Sequence, residues 1–163
     1  MEAVFTKVFD QAVVFHSFTA YMRDYEILVY ATADPRTGIQ PEHVRLLFRH
    51  CVRVTTTTAL EPGTWSVSLD ERLIDHGTGV DLDGYVWGVS WQLLYPGVEL
   101  VVDSAEAAEW SSALDLPFYE AKVGMNGHNI SLVFSDLEVS TVPFGYSPFV
   151  VPRGGPDVKV PLP

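Results

Sequence analysis

Hydrophobic positions at the start of the chain recur with helical spacing. Val4, Val8 and Ala12 form one row and Phe5, Phe9 and Val13 the next, an i, i+4 stripe that predicts an opening helix. From Tyr21 the residue types shift to strand formers, ending in Ile27-Leu28-Val29-Tyr30. Asp34-Pro35-Arg36-Thr37-Gly38 reads as a turn, with proline presetting φ and glycine free to take a positive one. The longest alternation runs from Val44 to about Thr58. Val44, Leu46, Phe48, His50, Val52 and Val54 point one way, while Arg45, Arg49, Arg53 and Thr55 point mostly the other. That pattern predicts one long strand, or two strands joined by a bulge.

Pro62 to Leu73 can form a short helix with Trp65, Leu69 and Leu73 on one face. Tyr85 to Tyr95 alternates as a strand. Tyr85, Trp87, Val89, Trp91, Leu93 and Tyr95 share a face, opposite Val86, Gly88, Ser90, Gln92 and Leu94; the row is expected to be a core face, with a stacking platform for sugars or bases as the alternative. After a Pro96-Gly97 turn, Val98 to Val102 is another strand. Asp103 or Ser104 then caps a helix over Ala105 to Leu114, with Glu106 placed to complete a capping box on Asp103 and Pro117 to stop it. Tyr119–Met125 and Asn129–Phe134 flank Asn126-Gly127, a strong hairpin signal, and Leu137, Val139 and Thr141 continue the alternation. The order predicts an α+β domain over residues 1–142, built on a mostly antiparallel sheet with two or three helices covering one side. Six of the 11 prolines fall in residues 143–163. Proline removes donors, so this stretch is expected to be an extended proline-rich C-terminal tail, packed on the domain or on a partner subunit.

Composition narrows the partners. At 163 residues with 47% hydrophobic and 19% charged, the chain can bury the core of one ordinary domain. Its formal net charge of -11 repels phosphate backbones and anionic lipid, so neither nucleic acid nor a membrane surface is an expected partner. The same charge suits a basic protein. The single cysteine, Cys51, allows no intramolecular disulfide and fits a reducing compartment. Residues 1–15 carry Glu2, Lys7 and Asp10 and lack a signal-peptide pattern. No apolar run reaches the ~20 residues of a membrane span, so the expected location is cytoplasmic.

The stretch Thr78–Gln92, TGVDLDGYVWGVSWQ, looks most like a site. Aligned on a calcium loop, Asp81, Asp83 and Gly84 fit, but Gly79 and Ser90 stand where the first and last ligands belong. A looser acidic cluster of Asp70, Glu71, Asp75, His76, Asp81 and Asp83 is ordinary in so acidic a chain. The histidines at 16, 43, 50, 76 and 128 lack zinc spacing, so no metal or cofactor is expected. His50 and Cys51 would face opposite ways on a strand, the first as a buried, hydrogen-bonded histidine and the second as a small buried residue. Gly88-Val89-Ser90-Trp91-Gln92 starts like a nucleophile elbow but has Gln92 in place of the second glycine. No catalytic residue is assigned. The candidates that remain for binding a ligand or partner are His76, Asp81, Asp83, Gly88, Ser90 and His128, around the small-residue face of the strand.

HSFTAYMRDYEILV (16–29), DPRTG (34–38), RHCVRVTTTTA (49–59), DLDGYVWGVSW (81–91) and LVFSDLEVS (132–140) together resemble the YxiG-like proteins, small bacterial and mainly actinobacterial domains. The resemblance runs from about residue 4 to about residue 163. It implies no activity, substrate or cofactor and carries over no catalytic residue. Distant relatives near polymorphic toxin genes imply an immunity-type role. The leading expectation is a non-enzymatic protein-binding module, with an antitoxin-like neutraliser of a basic toxin as one form of it. The alternative is a small enzyme or ligand-binding domain with its site near Gly88 and Ser90, and a third reading is a homodimer joined through the tail.

Overall fold

The computed structural model describes residues 1–19, 22–32, 35–59, 62, 92–143 and 145–148. A helix, α1 (Glu2–Val8), leads into strands β1 (Ala12–Phe18) and β2 (Tyr25–Ala31). A 3-10 turn (Pro35–Thr37) precedes β3 (Glu42–Arg49) and β4 (Arg53–Thr58). The later elements are β5 (Gln92–Leu93), β6 (Gly97–Leu100), α2 (Ala105–Leu114), β7 (Tyr119–Gly124), β8 (His128–Phe134) and β9 (Asp136–Val142). The strands form two sheets, ordered β5-β1-β2-β3-β9 and β4-β8-β7-β6, and every pairing is antiparallel.

The core lies between the inner faces of these sheets, as strand alternation requires. Ile27, Val29, Leu46 and Phe48 come from one sheet, and Ala121, Val123, Leu132 and Phe134 from the other, all nearly or wholly buried. Phe48 and Phe134 meet edge to face across the gap, with ring centroids 4.9 Å apart. A smaller cluster of Ala107, Phe118 and Val133, flanked by Val52 and Trp110, seats α2 on the outside of the four-stranded sheet.

One ribbon joins the sheets. β3 pairs with β9 up to Arg49↔Asp136, and β4 resumes pairing with β8 at Arg53↔Val133. Residues 50–52 therefore oppose only 134 and 135, so one strand carries an extra residue. That residue is accommodated at His50, whose φ is +47°. This is the bulge of the second sequence reading, and it also turns the ribbon from one sheet into the other. Three bonds hold the corner: His50 N–H to Asp24 Oδ1 at 2.9 Å, Cys51 N–H to the Arg23 carbonyl at 2.7 Å, and Ser135 N–H to the Arg49 carbonyl at 2.9 Å.

Several expectations need correction. The single mostly antiparallel sheet is two packed sheets. The opening helix stops at Val8, and Ala12 and Val13 belong to β1, because Asp10 takes φ +58° and gives its N–H to the Leu94 carbonyl. Ser104, not Asp103, caps α2: its Oγ accepts from Ala107 N–H at 3.2 Å. Glu106 does not close a box on Asp103 but faces Arg53, which lies 2.8 Å from Glu106 Oε2 in an ion contact too bent for a hydrogen bond. Arg53 also donates to Glu120 Oε1 at 2.9 Å, and Ser104 Oγ donates to Glu120 Oε2 at 2.6 Å, so Arg53 and Glu120 clamp α2 to the sheet. The bond from Ser104 leads the causes that hold the Glu120 carboxyl below its usual range. At 92–95 the faces are reversed: Leu94 is fully buried, while Leu93 is 37% and Tyr95 60% exposed. Apart from Pro62, the helix expected at 62–73 lies outside the described residues, as do Trp87 and Trp91 and most of the proline-rich tail.

The corner makes a prediction. His50→Val places a β-branched residue at φ +47° and removes the imidazole bond to Ser135, so it should lower the unfolding free energy by about 1–3 kcal/mol. Asparagine tolerates this backbone, so His50→Asn should cost about 1 kcal/mol, chiefly the lost bond. Urea midpoints that fall equally for both variants would count against a backbone role for the bulge.

Candidate functional site

Of the binding candidates read from the sequence, His128 is the one within the described residues; His76, Asp81, Asp83, Gly88 and Ser90 lie outside them. His128 opens β8 and turns toward β1, where the ring of His16 stands 6.4 Å away at 65°. His16 comes from the inward row of β1 and faces Tyr25, the buried first residue of β2. Its Nδ1 lies 2.7 Å from the Tyr25 hydroxyl. On the other side, the Gln92 side-chain amide meets His128 Nδ1, while Gln92 Oε1 is buried without a partner. Turning the amide over lets Oε1 accept from His128 Nδ1–H and satisfies that carbonyl.

Each imidazole is thus fixed through Nδ1 in the gap between sheets. Burial, and then the neighbouring His128, hold the His16 pKa below its ordinary value. Burial first of all pushes the Tyr25 hydroxyl up, so it stays protonated as a hydrogen-bonding group. The pair resembles a positioned acid–base couple, but among the described residues no further group stands beside it to complete a reaction centre. Among the described residues no three metal-ligating side chains converge. Cys51 is buried, and desolvation pushes its thiol up to about 12, so it is neither thiolate nucleophile nor ready metal ligand.

A serine–histidine contact elsewhere has the same outcome. His50 Nδ1 lies 2.6 Å from Ser135 Oγ, a distance that suits a nucleophile and its base. Ser135, however, is 4% exposed, and its hydroxyl donates to the Arg49 carbonyl. Its oxygen is therefore left to accept from His50 Nδ1–H, which makes the histidine a donor at the corner rather than a base. The hydrogen-bonded role read for His50 is observed, but the residue is half-buried rather than buried and sits in a turn, not a strand.

The surface offers a different feature. Phe9 and Tyr95 form an exposed ring pair with centroids 5.9 Å apart, 46% and 60% exposed. α1 ends just before Phe9, and Gly97 at φ +105° lets that ring lie close: a Cβ there would meet Phe9 Cδ2 at 3.2 Å. Beside the pair runs an open groove of about 540 Å³ lined by Phe5, Phe9, Pro96, Val98, Glu99 and Leu100. Glu99 in its lining and Asp10, next to Phe9 in the chain, are both exposed and negatively charged. Sequence reasoning missed His16, Tyr25 and Gln92, and also this pair. The run AVVFHSF (12–18) carried a strand signal for His16, hidden because the bulge at Val14 breaks its alternation.

These features define a two-sheet α+β domain with a polar inter-sheet cluster and an aromatic edge, without an assembled catalytic centre among the described residues. The chain belongs to the YxiG-like protein family, whose pattern matches residues 1–152. No curated protein matches the chain. Among the described residues no helix is long and apolar enough to cross a membrane.

The histidine pair predicts a pH dependence. A folded pKa below the unfolded value favours the neutral ring, so its stabilisation is full above about pH 6.5. As pH falls through 6.5 toward the folded value, the unfolded chain takes up the proton first and stability drops. Urea midpoints should therefore fall between pH 7 and pH 5, and less so in His16→Gln. The same slope in both proteins would show that other groups cause it.

Proposed function

We propose that this protein is a non-enzymatic binding domain for a basic protein partner. The observation that carries the reading is the exposed Phe9–Tyr95 pair beside an open groove of mixed polarity. Large aromatic rings left in water cost free energy, and they supply the anchors of protein interfaces when a partner covers them. The partner's sign follows from charge. Net -11, with Glu99 in the groove and Asp10 next to Phe9 in the chain, steers a cationic surface toward the rings and lets an arginine or lysine lie over them. An immunity-type role, neutralising a basic toxin, is one form of this function and accords with the family resemblance. A cytoplasmic location is part of the same proposal.

The test uses the full chain as bait at low salt, followed by reconstitution with the purified partner. A basic protein should be retained, released as salt rises, and lost with Phe9→Ser/Tyr95→Ser while the variant remains folded. The rings are exposed, so the double variant should change stability by less than about 1 kcal/mol. Retention of no basic protein, or equal retention by the double variant, would overturn the proposal.

A further inference from the structure

The outer edge of the five-stranded sheet is β9, and no strand lies beyond it among the described residues. Its pairing with β3 is unbroken over all seven residues, Asp136 to Val142. An edge of this kind presents alternate N–H and C=O groups to solvent, a template for another strand. Proteins usually blunt such edges with shortness, a bulge, a proline, an added cover or charged side chains, and of these β9 has only the carboxylates Asp136 and Glu138, which repel a like-charged strand but not a cationic one. β5, at the sheet's other edge, is two residues long; in the four-stranded sheet β6 packs beside α1, and β4, the other edge, is shorter than β9 and carries Arg53 and threonines where β9 carries carboxylates. β9 has neither a bulge nor a proline, and its length is that of an ordinary internal strand.

Its side chains describe what would fit. Leu137, Val139 and Thr141 lie on the face turned toward the other sheet, and Val139 there is 41% exposed. Asp136, Glu138, Ser140 and Val142 lie on the outer face. Glu138 meets Arg49 at 3.2 Å, yet its side chain stays 52% exposed, and Arg49 divides its charge with Asp24 at 3.3 Å. An added strand therefore needs apolar side chains on one face and cationic ones on the other. A second copy of β9 does not meet that need. Antiparallel pairing of two copies would put four carboxylates, Asp136 and Glu138 from each, on one face of the new ladder, between molecules of net charge -11.

We infer that β9 accepts an extended segment of a basic protein as an additional strand, with cationic side chains over Asp136 and Glu138 and apolar ones beside Leu137 and Val139. This is β-augmentation, in which main-chain bonds supply affinity and alternate side chains supply specificity. It rests on the protein-binding reading only for the charge of the partner. It uses a different edge of the sheet from the one next to Phe9 and Tyr95.

The probe is a blocked peptide of alternating lysine and valine, matched in length to β9 and titrated into the isotope-labelled full chain. Amide shifts and slowed hydrogen exchange should map to residues 136–142. Glu138→Lys should weaken binding about tenfold and admit the matching peptide of alternating glutamate and valine. Glu109→Lys, the same charge change on the exposed side of α2, should leave affinity within about twofold. Perturbations that avoid β9, no binding, equal weakening by both variants, or a chain that dimerises through β9 would each overturn the inference. A peptide that binds at Phe9 and Tyr95 but not at β9 does so too, while leaving the earlier reading intact. Loss of the Phe9–Tyr95 function with β9 binding retained has the opposite meaning.

Discussion

The fold depends on one ribbon that crosses from sheet to sheet without losing its pairing. β3 with β9 and β4 with β8 are successive parts of the same antiparallel ladder, interrupted only where residues 50–52 oppose 134 and 135. Without the extra residue, Phe48 and Phe134 would not be brought edge to face, because a straight ribbon stays in one sheet. The turn also brings main-chain donors to the surface of the core, where each must find an acceptor. Asp24 accepts from His50 N–H, and the Arg23 and Arg49 carbonyls take Cys51 and Ser135. A carboxylate fixed in this way is costly to protonate. That main-chain bond opposes the effect of burial and, together with Arg23 and Arg49, leaves the Asp24 pKa below its ordinary value.

Much of this was legible in the chain because local chemistry and tertiary structure agreed. Asn126-Gly127 joins β7 and β8 as a hairpin, Ala105–Leu114 is helical, and the Val44–Thr58 alternation divides at a bulge. What escaped was set by distant contacts. Helical spacing in residues 4–13 lost to strand pairing from Ala12 onward, since β1 gains a ladder with β2 that a longer helix would forfeit. The division into two sheets was also invisible, because strand alternation names an inner face and not the sheet that owns it. Asp103 and Ser104 were equal candidates for the cap until φ +56° at Asp103 took it out of the capping geometry. Of the candidate site, only His128 could be followed, and its neighbours His16, Tyr25 and Gln92 come from strands far apart in sequence.

Charge is distributed to match this architecture. On the outside of the five-stranded sheet, Arg45 binds the buried Glu26 at 2.6 Å, and Tyr146 donates to the same carboxylate oxygen at 3.2 Å. The Arg45 guanidinium also stands over the Tyr146 ring, 5.9 Å from its centre. Breaking one partner would strand a charge out of water, which is why such groups occur as a set. On the outside of the four-stranded sheet, Arg53 and Glu120 tie down α2. Cations spent in these contacts are not available to neutralise the exposed carboxylates of the described residues, among them Glu42, Asp103, Glu109 and Asp115.

The most consequential reversal concerns residues 92–95. A strict period of two assigns Tyr95 to the core with Leu93, because both are large and Gln92 is polar. The chain does the opposite. Gln92 has an interior partner in His128, so its amide can turn inward, and Leu94 fills the core behind it. Leu94 is further fixed by two main-chain bonds, one to Gln11 and one from Asp10. With those positions settled, Leu93 and Tyr95 can only face out, and Tyr95 meets Phe9 at the surface. The same polar contact that completes the interior therefore sends an aromatic side chain into solvent. An interior requirement and an interface anchor are consequences of one choice of face.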